Sequence, residues 1–280
     1  SVQKLKCPYC GAEEDIREDS SLVKEYDFED IAIRESESKW NEEVSIIRCE
    51  NCGAETVIDK HQTALYCSYC GSSHVLESKQ SAGIKPEGII PFKIDKHKAK
   101  ESFDRWIRRR WLAPGKLKQL YQSDKLIPVY IPYWTYDAQT YNVYSAQGGE
   151  YYYVQVERNG KKQMERRTRW YHVSGRFSKF FDDVQINASK NYNESLMNRI
   201  EPYNTTAVES YKPQYISGYM AERYSRGVIA SFEYAKNKMY YDLIREVEII
   251  VTRRYDTVRD VHINTNYDDV KYKHVLLPLW

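Results

Sequence analysis

Residues 150–181 read "EYYYVQVERNGKKQMERRTRWYHVSGRFSKFF". Two runs rich in Tyr, Val, Trp and Phe flank Asn159-Gly160, and an Asn-Gly pair suits the positive-φ positions of a two-residue hairpin turn. The stretch predicts two long antiparallel strands about that turn. The same texture extends back to Leu126 through "LIPVYIPYWTYDAQTYNVYSA", and tyrosine supplies 26 of the 280 residues. Aromatic side chains favour pleated surfaces, and the tyrosine hydroxyl lets a ring sit half in water. A large curved sheet follows, with an interaction face as the other use of so many rings.

Working outward, "GIIPFKI" (Gly88–Ile94) predicts a strand, and Asp95 a helix N-cap. "KHKAKESFDRWIRRRWL" then reads as an amphipathic helix, with Ala99, Phe103, Trp106, Ile107 and Arg110 along one side, ending before Pro114-Gly115. Val228, Phe232, Ala235, Met239 and Leu243 recur at spacings of three and four, which predicts a helix over 214–249 lying on the sheet. The chain closes on "VRDVHINTNYDDVKYKHVLLPLW", a turn and then a strand. "GIIPFKI", "VYIPYW" and "VLLPLW" share an apolar core around proline, a residue confined in sheets to edges, strand starts and bulges.

All six cysteines fall in C-x-x-C pairs, the arrangement of thiolates that hold a metal in a reducing compartment. Cys49, Cys52, Cys67 and Cys70 form two C-x-x-C-G units with 14 residues between Cys52 and Cys67. That spacing predicts a structural Zn2+ site in a ribbon over 44–79, entered by the strand "VSIIRC". Four thiolates leave no open coordination position, so such a site contributes folding energy rather than catalysis. Iron or a redox pair would use the same motif, but a redox C-x-x-C comes with a βαβ context that is absent here. Cys7 and Cys10 form a third, solitary pair. Residues 25–43 read as an acidic linker or short helix with Phe28, Ile31 and Ile33 on its apolar side, and "SSHVLESKQSAGIKPEG" as a linker before a domain starting near Ile84.

"KLKCPYCG", "EYDFED", "RCENCGAETVIDKHQTALYCSYCG", "IKPEGIIPFKIDK", "VYIPYW", "IEPYN" and "VLLPLW" together resemble bacterial proteins with transcription-factor-IIB-type zinc ribbons. Their function is largely unknown, and they are often labelled primosomal or replication-restart helicases. The resemblance covers most of the chain. It implies two ribbons followed by an α+β domain, so residues 1–24 are expected to be the second half of a first ribbon, with Cys7 and Cys10 completing their zinc site with residues before Ser1. It also implies that the α+β domain of 84–280 continues beyond Trp280. The expected fold class is therefore α+β: N-terminal zinc ribbons of the four-cysteine type, then a long antiparallel sheet with covering helices.

The helicase label conflicts with the residues. No G-x-x-x-x-G-K-[ST] loop is present, and "PGKLKQL" lacks the glycine spacing and hydroxyl that cradle phosphates and hold Mg2+. H-E-x-x-H and G-x-S-x-G are likewise missing, and His61, His74, His97, His172, His262 and His274 lie apart. Asp182-Asp183 and Asp268-Asp269 read as solvated turns. The chain is expected not to be an enzyme and to have no small-molecule substrate.

Net charge is +2, yet residues 1–80 carry 9 Lys and Arg against 17 Asp and Glu, leaving 33 against 23 for residues 81–280. A nucleic-acid reading rests on Arg108, Arg109, Arg110, Arg166, Arg167 and Arg169 interleaved with aromatics. The near-neutral total and the acidic ribbon half favour protein partners instead, in a scaffold whose basic face can meet an anionic membrane. No segment approaches the roughly 18 apolar residues of a membrane helix, and the N-terminus lacks signal-peptide features. The expected location is the cytoplasm, at the inner face of the membrane, and the resemblance adds a link to membrane stress of the phage-shock type.

Overall fold

The structure is a computed structural model that describes residues 4–6, 13–15, 23–37, 40, 44–59, 67, 75–78, 83–110, 126–158, 160–216 and 219–280. Among these, the strands are β1 (Lys4–Lys6), β2 (Glu13–Asp15), β3 (Tyr26–Asp27), β4 (Val44–Cys49), β5 (Glu55–Asp59), β6 (Val75–Ser78), β7 (Gly88–Ile89), β8 (Val129–Arg158), β9 (Lys161–Asn187), β10 (Glu209–Ser210), β11 (Met220–Glu222) and β12 (Thr257–Leu279). The α-helices are α1 (Ile31–Glu37), α2 (Lys96–Arg108), α3 (Glu194–Ile200) and α4 (Val228–Thr252).

The fold is α+β with one large mixed sheet, ordered β10-β7-β12-β8-β11-β5-β4-β6, with β3 beside β12 and β9 beside β8. The sequence predicts antiparallel pairing throughout. Instead β11 runs parallel to β8 and β7 parallel to β12, pairings between distant segments that no local signal records. β8, ending at Arg158, and β9, beginning at Lys161, form the expected hairpin, and Gly160 takes φ +70°. Pro132 and Pro278 lie inside β8 and β12 rather than at an edge of the sheet. Pro132 tolerates this because β11 matches only Val129 and Tyr130, after which Ala188 donates its N–H to the Pro132 carbonyl.

The chain divides into two compact units, and the boundary falls within long elements rather than near residue 84. The first comprises residues 1–135, 185–231 and 272–280. Here the strands "VYIPYW" and "HVLLPL" are apolar at consecutive positions because both sheet faces are covered. Tyr130, Ile89 and Leu276 pack with Trp40, Val57 and Tyr215 on one face, whereas Ile131, Tyr133, Val275 and Leu277 meet Met197 on the other. The expected ribbon and the domain from 84 share this sheet, because β11 pairs with β5 on one side and β8 on the other.

The acidic segment, expected as a linker or a short helix, contains the short helix α1 and belongs to the same unit. Ile31 and Trp40 are buried, although Ile33 faces solvent. Lys273 donates to Glu25 at 2.7 Å, Arg34 pairs with Glu87, and Trp40 donates to the Tyr211 hydroxyl at 3.2 Å. Asp95 caps α2 by accepting the Lys98 N–H at 2.8 Å, as its sequence position predicts. Of the apolar side expected on α2, however, only Ile107 is buried, and Trp106 is 43% exposed.

The second unit comprises residues 136–184 and 232–271. Parts of β9, β8 and β12 lie side by side there, and α4 covers one face. Phe232, Ala235, Met239 and Leu243 are buried as expected, and Val247 and Val251 pack with Tyr144, Phe177 and Ile263. The α4 helix starts at Val228 rather than near 214: Pro213–Ile216 form a 3-10 turn, Met220–Glu222 form β11, and Gly227 precedes the first turn. Thr140 sits opposite Lys179 in the hairpin. Tyr144 lies over Gly175 and Trp170 over Gly149, where an added Cβ would come within 2.8 Å of a ring atom in either case. Asp183, Asp260 and Asp269 take positive φ inside strands. That is bulge backbone, so the aspartate pairs expected in turns interrupt ladders instead.

Candidate metal centre

Strand β4 delivers Cys49 to a tight turn that β5 leaves. Gly53 donates its N–H to the Cys49 carbonyl and Cys49 donates to the Ala54 carbonyl, both at 2.9 Å. Gly53 makes the reversal possible with φ +74°, and its surroundings are open, so backbone conformation rather than space calls for glycine. Beyond β5 the chain brings Cys67 against this turn, and β6 then pairs antiparallel with β4, placing Val75 opposite Cys49.

The sulfurs of Cys49, Cys52 and Cys67 lie within 4.8 Å of one another. Cys49 and Cys67 are buried, packed with Ala54, and Cys52 faces outward. The Cys52 and Cys67 Sγ atoms are 3.7 Å apart. A disulfide requires about 2.05 Å, whereas two thiolates on one tetrahedral zinc, each at about 2.3 Å, stand about 3.8 Å apart. The donor set and spacing therefore fit a metal ion. Beside the turn, Arg223 from the end of β11 pairs with Glu55 at 2.6 Å. Both residues border a cavity of about 480 Å³ that also touches Gly53, Asn191 and Tyr224.

Cys70, the expected fourth ligand, and Cys7 and Cys10 lie outside the described residues, as do His61 and His74. The flanks of Cys7 and Cys10 do pair: β1 and β2 run antiparallel, Lys6 opposite Glu13.

The arginines expected to serve a nucleic-acid face divide between the two units. Arg108 pairs with Asp104 at 2.8 Å, and Arg110 stacks over Trp106 at 4.6 Å, all in the first unit. Arg109 ends the same helix as its C-cap. In the second unit, Arg166 stacks over Tyr151 at 4.3 Å. Arg169 lies over Tyr152 at 5.4 Å, and Arg167 pairs with Glu165 at 3.1 Å. Strand alternation sends Arg166 to one face and Arg167 and Arg169 to the other.

Sequence reasoning missed a buried polar cluster in the first unit. Glu87 pairs with Arg34 and accepts the His274 backbone N–H at 2.7 Å, and the Arg34 guanidinium lies 3.5 Å from the Tyr26 ring centroid. The His274 imidazole is enclosed by Trp134 at 4.7 Å, Tyr224 at 5.5 Å and Trp40 at 6.0 Å, with Nδ1 2.9 Å from the Ile84 carbonyl. Facing a carbonyl, Nδ1 is the donor; Nε2 has no hydrogen-bond partner among the described residues. Burial pulls the imidazole down to about 3 and pushes the Glu87 carboxyl up to about 7 against the pull of Arg34. The available signal was Trp40 within an acidic stretch and His274 entering an apolar run.

Fold and site together define a mixed α+β protein with a thiol cluster able to hold a metal ion, and no helix among its described residues is long and apolar enough to cross a membrane. The chain is similar to the uncharacterized protein YdjG of Bacillus subtilis (strain 168), with 27% identity over 297 residues, covering 83% of this chain and 81% of YdjG. No family profile matches the chain, and no solved structure does.

Proposed function

We propose that the chain is a non-catalytic adaptor organised around a structural Zn2+ site, with Cys49, Cys52, Cys67 and Cys70 as ligands. The 3.7 Å sulfur separation carries this reading, since it suits two corners of a thiolate tetrahedron. Bound zinc would contribute folding energy by tying the turn after β4 to the segment before β6. The antiparallel order β5-β4-β6 around these cysteines supports the ribbon reading. Cys7 and Cys10, between β1 and β2 in the sequence, would be two ligands of a second zinc site. The partners are other proteins, assembled in the cytoplasm or at the inner membrane face.

Metal analysis of the purified protein tests the site. The expectation is at least about one zinc per chain, a tetrahedral thiolate spectrum on Co2+ substitution, and loss of that signal in Cys52→Ser but not in Cys7→Ser. A folded protein that binds neither zinc nor Co2+ would falsify the reading.

A further inference from the structure

The second unit has α4 on only one side of its sheet. On the other side lie the odd residues of β8 from Tyr141 to Tyr153 and the even residues of β9 from Arg166 to Phe180, as the Tyr144–Gly175 and Gly149–Trp170 contacts fix. The adjoining part of β12 contributes Asn264 and Asn266, which with Tyr141, Val143, Arg176 and Ser178 border an open groove of about 490 Å³. Tyr141, Tyr153 and Phe180 are each more than half exposed.

Three arginines serve this face. Arg166 stacks on Tyr151, Arg259 on Trp170 at 3.9 Å, and Arg176 borders the groove. Arg259 reaches it because of the Asp260 bulge. Val258 and Val261 both pack toward α4, although simple alternation would put them on opposite sides. Within residues 141–153, 166–180 and 257–266, Asp260 is the carboxylate that can meet this side, and it pairs with Arg259 at 3.3 Å; Glu157, Asp182 and Asp268 share the side by alternation but lie at its ends, beyond Tyr153, Phe180 and Asn266. The acidic residues of β8 and β9 nearby, Glu150 and Glu165, belong by alternation to the opposite face.

We propose that this face, which α4 leaves open among the described residues, binds single-stranded nucleic acid. Flat rings on a sheet stack unpaired bases, guanidinium groups neutralise phosphates, and side-chain amides and hydroxyls meet base edges. Stacking rings beside Arg166, Arg176 and Arg259 at the middle of the face supply charge complementarity to a polyanion. The Asn264, Asn266 and Ser178 donors have no use against acyl chains, which distinguishes the face from a membrane anchor. The reading names a partner beyond the adaptor role and uses none of the metal ligands.

Fluorescence anisotropy of the full chain with labelled oligothymidylate and oligouridylate strands of about 20 nucleotides tests it. Binding to either strand is expected to exceed binding to a duplex. The log–log salt slope should be about −2, from roughly 0.7 counterion per neutralised phosphate at three arginines. Trp170→Ala or Tyr151→Ala should each weaken binding about tenfold, and Arg166→Gln with Arg176→Gln should cut the salt slope to about −0.7, the share of the remaining Arg259. Arg169→Ala, on the other face, should bind as the parent does. The arginine variants alter exposed side chains only, so they remain informative if the Trp170 variant fails to fold. The proposal is overturned by absence of binding, by equal loss in Arg169→Ala, by preference for duplex, or by binding to phosphatidylserine–phosphatidylcholine vesicles that these strands do not displace.

Discussion

Replacing Arg34 by methionine keeps an unbranched stem and removes both the guanidinium over Tyr26 and the charge that answers Glu87. Glu87 is 8% exposed in its side chain, and without Arg34 it keeps the His274 backbone N–H as a donor but no opposite charge in contact. A buried ion pair broken from one side costs about 3–5 kcal/mol, because the remaining charge is uncompensated. That loss is expected near pH 8 and should shrink toward pH 5, where the variant can protonate Glu87. Glu87→Gln added to Arg34→Met should recover most of it.

The parent carries two opposing proton linkages at this cluster. Glu87 titrates near 7 when folded against 4.5 ordinarily, so its share of stability is present below about pH 4.5 and is lost as pH rises through 7. His274 titrates near 3 when folded against 6.5 ordinarily, so its share is present above pH 6.5 and is lost as pH falls toward 3. Between pH 4.5 and 6.5 the slopes cancel, each being about 1.4 kcal/mol per unit. Glu87→Gln leaves the histidine slope alone, so its stability should rise by about 3 kcal/mol across that window while the parent stays nearly level. Urea midpoints measured every half unit of pH would show this. A level Glu87→Gln profile, or an Arg34→Met variant within about 1 kcal/mol of the parent at pH 8, would refute the argument.

Two further substitutions test local packing. Gly175→Ala puts a Cβ 2.8 Å from the Tyr144 ring and should cost about 1–3 kcal/mol in thermal or urea unfolding. Asp95→Ala removes the acceptor for the Lys98 N–H and should cost about 1 kcal/mol, measurable by denaturation or as faster amide exchange in the first turn of α2.

What could be read in the sequence depended on the range over which each signal acts. The hairpin follows from two adjacent residues, the Asp95 cap from a spacing of three, and the buried stripe of α4 from a repeat inside one helix. The thiol cluster followed from cysteine spacing across a modest gap. The parallel pairings of β7 with β12 and β11 with β8 join segments that carry no mark of one another. The acidic stretch read as a linker or a short helix; the helix is there as α1, but its charges suggested solvent, whereas Arg34 and Glu25 find partners at Glu87 and Lys273, far along the chain. The split of Arg166 from Arg167 and Arg169 was available from strand alternation alone, once "ERRTRW" was read as a strand rather than as a patch of charge.

The rings seated over glycines in the hairpin bear on how it forms. Strands as long as β8 and β9 offer many registers, and a slip of two residues keeps every side chain on its proper face, so hydrophobic pattern alone does not reject it. Such a slip would set Tyr144 against Val173 or Phe177 in place of Gly175, and Trp170 against Gln147 or Tyr151 in place of Gly149. The paired notches thus mark one alignment among those the pattern allows: only in it do both rings lie over a glycine.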